Sequence, residues 1–185
     1  MTDITSAHIL IIATDGFEQS ELFDPRDQLI AAGAQVTLAS PEHHPIQGMK
    51  HDEKAATILP DIILDDVDAA DYDALVIPGG VANPDSLRLN GTAVDIVRTF
   101  FRANKPVAAI CHGPWMLVEA DVVENRRVTG WPSVRTDLVN AGGIVSDEEV
   151  VVDGNLITSR KPGDIPAFVG AIRAAVAASV PATVV

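Results

Sequence analysis

Hydrophobic residues along this chain come in short blocks separated by Gly, Pro and Asp. Ala7–Ala13 (A-H-I-L-I-I-A) is a continuous apolar run that ends at Asp15-Gly16, the pattern of a strand buried on both faces. Glu21–Ala32 carries Leu22, Leu29, Ile30 and Ala31, with Gly33 after it; this predicts a helix stopped by glycine, with Pro25 forcing an early break or a late start. Ala34–Ala39 predicts a second strand and completes a β-α-β unit.

Residues 40–73 are more polar and hold Pro41, Pro45 and Pro60, with strand-like pieces at Ile46–Lys50 and Thr57–Leu59. Ala74–Ile77 predicts a buried strand closed by Pro78-Gly79-Gly80. Pro84 suits the first turn of a short helix, and Thr92–Ala103 a longer one. Val107–Ile110 predicts the next strand and Gly113–Ala120 the helix after it. Further on, Val134–Asn140 reads as a helix, and Val150–Val152 with Leu156–Thr158 as a hairpin across Asp153-Gly154-Asn155. Asp164 is placed to cap a final Ala-rich helix reaching about Ala178. Strands alternating with helices predict an α/β domain, with a mostly parallel sheet and helices on both faces. Residues 1–185 are expected to form a single domain, with functional residues beyond the carboxyl ends of the strands.

Composition narrows the chemistry. Hydrophobic residues make up 47% of the 185 positions and aromatic ones only 4%, so the core is expected to be aliphatic. The net charge of −13 repels phosphate backbones and anionic lipid; neither nucleic acid nor membrane is an expected partner. The N-terminal M-T-D-I-T-S has no basic segment, and the chain has one cysteine. Both features lead to the expectation of a cytoplasmic protein without disulfides. G-x-S-x-G, G-x-G-x-x-G and P-loop patterns are absent.

Cys111 follows the apolar run Val107–Ile110 directly and precedes His112-Gly113-Pro114. A thiol between a buried strand and a helix start sits at the sheet's carboxyl edge, where a helix N-terminus lowers its pKa. That position predicts a partly accessible nucleophile; the alternative is a buried structural cysteine. Glu18, in D-G-F-E after the first strand, is expected at the same edge as hydrogen-bond donor or base, the alternative being an exposed glutamate at a helix start. Gly79 and Gly80 can leave backbone N–H groups free to face an oxyanion, or form an ordinary turn. His112 is the only histidine after residue 51. This excludes the class I glutaminase arrangement, whose His lies well downstream of its Cys. His43, His44 and His51 lie in a polar stretch and read as solvated; no metal and no cofactor is expected.

Together these segments resemble the PfpI family, within the DJ-one/PfpI superfamily of class I glutaminase-like folds. The resemblance is carried by D-G-F-E-Q-S-E-L at Asp15–Leu22, D-Y-D-A-L-V-I-P-G-G at Asp71–Gly80 and R-L-N at Arg88–Asn90. K-P-V-A-A-I-C-H-G-P at Lys105–Pro114 and V-V-V-D-G-N-L-I-T-S-R at Val150–Arg160 carry it further. It implies a three-layer α/β sandwich of the flavodoxin-like, class I glutamine amidotransferase-like kind. It also implies Cys111 as nucleophile, Glu18 hydrogen-bonded to it, and His112 beside it. Asp85 of a neighbouring subunit would orient His112 in a homo-oligomer, and the backbone of Gly80 and His112 would form the oxyanion hole. This sequence departs from the family in having Asp85 where Glu is frequent, and Trp131 in T-G-W-P where a tyrosine is frequent. Trp131 is thus expected at the substrate site without an ionisable hydroxyl.

The function expected first is a cysteine-dependent glyoxalase or deglycase acting on methylglyoxal-like oxoaldehydes or their glycation adducts, in stress protection. The alternatives are an oligomeric cysteine peptidase or amidase acting on peptides, and a non-catalytic redox-sensing protein.

Overall fold

The computed structural model describes residues 4–179. In chain order, β1 (His8–Ile12) is followed by β2 (Phe17–Glu18), α1 (Gln19–Ala31), β3 (Gln35–Ser40), the hairpin β4 (Ile46–Lys50) and β5 (Glu53–Ile58), and β6 (Ile62–Ile63). Next come β7 (Ala74–Ile77), α2 (Ala82–Leu87), α3 (Gly91–Arg102), β8 (Val107–Ile110) and α4 (Trp115–Glu119). The remainder is β9 (Arg127–Val128), α5 (Arg135–Asn140), β10 (Ile144–Val145), β11 (Val150–Asp153), β12 (Leu156–Ser159) and α6 (Ile165–Ser179).

The central sheet has the order β11-β12-β8-β7-β1-β3-β6 and is parallel except for the β11–β12 hairpin at one edge. Its central strands β7 and β8 are apolar throughout because both faces are covered. In β1, Leu10 and Ile12 pack with Val97 and Phe100 of α3 and with Met116 and Leu117 of α4. Ile9 and Ile11 face the other way, towards Leu22 and Leu29 of α1 and Phe168, Val169 and Ile172 of α6. The period-two alternation of a strand thus feeds two cores and builds three layers.

Helix ends follow the expected chemistry in part. Asn90 caps α3 through Oδ1, which accepts from Ala93 N at 2.9 Å. Past Ala31 the chain closes at Gly33, with Ala34 N donating to Leu29 O at 3.1 Å. Pro25 does not break α1; it lies buried inside the helix. Leu22 and Leu29, one turn to either side, anchor the helix on the sheet and offset the lost backbone hydrogen bond. Asp164 does not stand free as a cap: Arg160 donates to both its carboxylate oxygens, at 2.8 and 3.1 Å.

Candidate active site

Three strand ends meet at the carboxyl edge of the sheet. β8 delivers Cys111, β7 delivers Pro78-Gly79-Gly80, and the turn after β1 delivers Glu18 and the first turn of α1. Cys111 has φ +62°, a left-handed conformation that costs a non-glycine residue about 1–2 kcal/mol. Two backbone hydrogen bonds hold it there: Cys111 N donates to Ser159 O at 3.0 Å, and Trp131 N donates to Cys111 O at 2.9 Å. The sharp turn aims the thiol at a cavity of about 390 Å³ lined by Glu18, Glu21, His51, Gly80, His112 and Trp131 among others. The thiol is buried rather than partly accessible, at 6% exposure.

The acid in contact with the thiol is Glu21, not Glu18. Glu18 Oε2 accepts from His51 N at 3.0 Å, so this carboxylate fastens the β4–β5 turn to the cavity wall. Glu21, three residues on and fully buried, lies beneath the glycine loop. Its Oε2 accepts from Gly79 N at 2.9 Å, and its carboxyl is in hydrogen-bonding contact with Cys111. Burial raises its pKa from 4.5 to about 8, with the charge of Glu18 adding to the effect. At neutral pH Glu21 therefore keeps its proton. Oε1 has no hydrogen-bond partner among the described residues, so that oxygen can carry the proton while Oε2 keeps its bond to Gly79.

Burial pushes the Cys111 thiol up, and negative charge on Glu21 pushes it the same way. The backbone N–H groups of His112 and Gly80 pull it down. The helix N-terminus contributes less than expected, because α4 begins only at Trp115 and has five residues. Neutral Glu21 therefore opposes the thiolate less than charged Glu21 does, and the two groups titrate as a pair.

Gly79 and Gly80 are required by close approach. A Cβ on Gly79 would lie 2.5 Å from Glu21 Oε2 and 2.7 Å from Cys111 Cβ. Gly80 has φ +78°, and its Cβ would meet Gly16 O at 2.1 Å. Asn83, fully buried, braces this loop: Nδ2 donates to Pro78 O and Gly79 O at 2.9 and 3.1 Å, while Oδ1 accepts from Thr14 N at 2.8 Å.

His112 Nδ1 lies 3.3 Å from Cys111 Sγ and its Nε2 lies 3.2 Å from Ser133 Oγ. Burial lowers its pKa, which keeps the ring neutral and able to accept a proton. Trp131 stacks on the imidazole with centroids 5.9 Å apart, and Trp115 tilts against it at 5.3 Å. Ser133 thus holds the ring nitrogen expected to need an outside partner. Asp85 is exposed on α2 and is not among the residues lining the cavity. His51 is exposed as expected, and it also lines the cavity. Among the described residues no three His, Cys, Asp or Glu side chains are grouped to hold a metal ion. No helix among them is long and apolar enough to cross a membrane.

Sequence reasoning singled out Cys111, His112, Gly79, Gly80 and Trp131, which the structure brings together. It missed Glu21, Asn83 and Ser133. Glu21 and Asn83 were within reach, inside D-G-F-E-Q-S-E-L and G-G-V-A-N-P-D; nothing local marks Ser133.

The model of the DJ-1/PfpI family matches residues 7–175. Deglycase PfpI of Pyrococcus furiosus is 44% identical over 160 residues, covering 86% of this chain and 93% of that protein. Protein/nucleic acid deglycase 2 of Escherichia coli is 41% identical over 165 residues, covering 88% of this chain and 94% of that protein. Among solved structures, Drosophila melanogaster DJ-1beta superposes with a TM-score of 0.83 at 33% identity, covering 92% of this chain and 90% of that one.

Proposed function

The chain belongs to the DJ-1/PfpI family, and from that membership we propose that it is a Cys111-dependent enzyme of the glyoxalase or deglycase type. It acts on α-oxoaldehydes such as methylglyoxal, free or as glycation adducts, in stress protection. One observation carries this reading: a carboxyl group with its pKa raised to about 8 lies against the thiol. Such a group exchanges protons near neutral pH, as isomerisation of an oxoaldehyde requires.

Cys111 sulfur adds to the aldehyde carbon of methylglyoxal, while His112 Nδ1, 3.3 Å away, takes the thiol proton. The N–H groups of Gly80 and His112 stabilise the alkoxide, which takes the proton of neutral Glu21 to give a hemithioacetal. Glu21, as carboxylate, removes the proton from the former aldehyde carbon, and the electron pair shifts to the neighbouring carbonyl. Reprotonation at that second carbon leaves the thioester of a 2-hydroxy acid. Water cleaves the thioester and regenerates Cys111. The balance is methylglyoxal plus water to lactate, with no external oxidant or reductant. On a hemiaminal adduct the C–S bond forms as the C–N bond breaks, and the amine or guanidine leaves with the thiol proton. Glu18 and Trp131 serve as cavity walls in this scheme.

A peptidase or amidase is the second reading, favoured by the Cys111–His112 contact. It lacks a carboxylate on the imidazole within one chain, because Ser133 occupies Nε2. Asp85 of a second copy would have to supply one in a homo-oligomer. Purified protein offered methylglyoxal and a fluorogenic peptide separates the readings. Lactate formation that disappears in Cys111→Ala is expected. Peptide cleavage without lactate would replace the first reading by the second, and neither activity would remove both.

A further inference from the structure

The cavity in front of Cys111 has an uneven charge lining. Glu18 stands in its wall, and Asp52 lies at its mouth, on the exposed turn between β4 and β5. Among the described residues that line it there is no lysine or arginine. The rest of the mouth is Trp131, Pro162 and Val81, together with His51, whose backbone N–H is committed to Glu18.

Lys50 and Lys161 are exposed beside His51 and Pro162 but stand outside the lining, and the two arginines that flank the rim are not free to meet an anion. Arg135, two residues past Ser133, donates to Asp147 at 2.7 Å. Arg160, two residues before Pro162, donates to the same Asp147 oxygen at 2.8 Å and to both oxygens of Asp164. The whole chain adds a negative field, at net charge −13. A phosphorylated or carboxylated aldehyde would approach this mouth against the charge of Glu18 and Asp52 and find no lysine or arginine in the lining.

Resting on the glyoxalase or deglycase reading, we propose that Asp52 and Glu18 make the site charge-selective. It takes oxoaldehyde adducts on a cationic carrier in preference to neutral ones and disfavours anionic ones, with Asp52 as the specificity-determining residue. Asp52 suits this role because it is exposed, so a carrier can reach it while the aldehyde carbon reaches the thiol. Glu18 is almost buried and tied to the His51 backbone; its field acts at longer range.

A matched substrate series tests this. Methylglyoxal adducts are prepared on N-acetylcysteine (anionic), on its primary amide (neutral) and on its dimethylaminoethyl amide (cationic). Lactate release and protection of Cys111 from iodoacetamide are measured for each. The expected order of kcat/KM is cationic, neutral, anionic, with roughly tenfold between the extremes at low salt and less at high salt. Asp52→Asn should narrow that span to roughly threefold. Equal rates for the three carriers, or a span unchanged in Asp52→Asn, would overturn charge selection while leaving the enzyme reading intact. No lactate from any carrier or from free methylglyoxal would instead remove the reading on which it rests.

Discussion

Gly79 N donates to Glu21 Oε2 at 2.9 Å, and this bond ties the buried carboxyl beside Cys111 to the glycine loop. Oε2 is committed to the glycine loop, and Oε1 is left as the oxygen that can carry the proton. Loop, acid and nucleophile are thereby one unit, and substitutions at each should report on the others.

Glu21→Gln keeps a donor towards sulfur, since the amide oxygen can accept from Gly79 while the amide nitrogen faces Cys111. Glu21→Leu removes it. A hydrogen bond to a charged group contributes about 1.5–3 kcal/mol, so the leucine variant should raise the pH midpoint of iodoacetamide labelling by roughly one to two units. The glutamine variant should shift it less, yet lose lactate formation because it cannot accept a proton. Equal midpoints in all three proteins would separate Glu21 from the thiol.

Glu21 also links stability to pH. Its pKa rises from 4.5 to about 8 on folding, so its contribution is fully present below 4.5 and is lost as pH climbs through 8. The loss proceeds at up to about 1.4 kcal/mol per pH unit. Burial of His112 acts oppositely, since a lowered histidine pKa removes stability as pH falls below 6.5. Urea unfolding of wild type and Glu21→Gln across this range isolates the first effect. The variant should gain on wild type as pH rises from 5 towards 8, by an amount that a parallel pair of curves would contradict.

Gly80→Ala should be damaging. It combines a left-handed φ, costing about 1–2 kcal/mol, with a methyl 2.1 Å from Gly16 O, for which overpacking adds about 1–3 kcal/mol. A drop in Tm of roughly 6–12 °C is expected. Gly163→Ala is the control: nothing lies within 4 Å of its added Cβ, and Tm should stay within about 2 °C.

Ser133→Ala removes the contact on His112 Nε2. Loss of one neutral hydrogen bond of about 1 kcal/mol predicts roughly a fivefold fall in kcat with little change in KM. Ser133→Thr should restore most of it. A fall confined to KM would make Ser133 a substrate contact rather than a support for the ring.

The fold was legible where burial is continuous. Ala74–Ile77 and Val107–Ile110 are apolar runs bounded by Pro, Gly or Cys, and the strands have those limits. The two-residue strands Phe17–Glu18, Ile62–Ile63, Arg127–Val128 and Ile144–Val145 were not, because such short segments extend only by pairing with distant partners. That hidden pairing also explains why the sequence points to Glu18 where the structure places Glu21 beside the thiol. Phe17 and Glu18 pair with Gly48 and Met49, which holds Glu18 extended just ahead of α1 and leaves the second glutamate, on the helix, under the glycine loop. The two acids lie in one motif, and only the long-range register tells them apart. Asn83 and Ser133 act through contacts made across the sheet edge, which no local spacing announces.

Methylglyoxal isotopically labelled at its aldehyde carbon, followed by carbon NMR on the purified protein, tests the catalytic role of Cys111 most directly. The label should pass from the free aldehyde to a hemithioacetal and then to a thioester on Cys111, before appearing as the carboxylate of lactate. Cys111→Ser should show neither sulfur-bound signal. Lactate formed at the wild-type rate by Cys111→Ser, or a hemithioacetal that never converts in the wild-type protein, would contradict it.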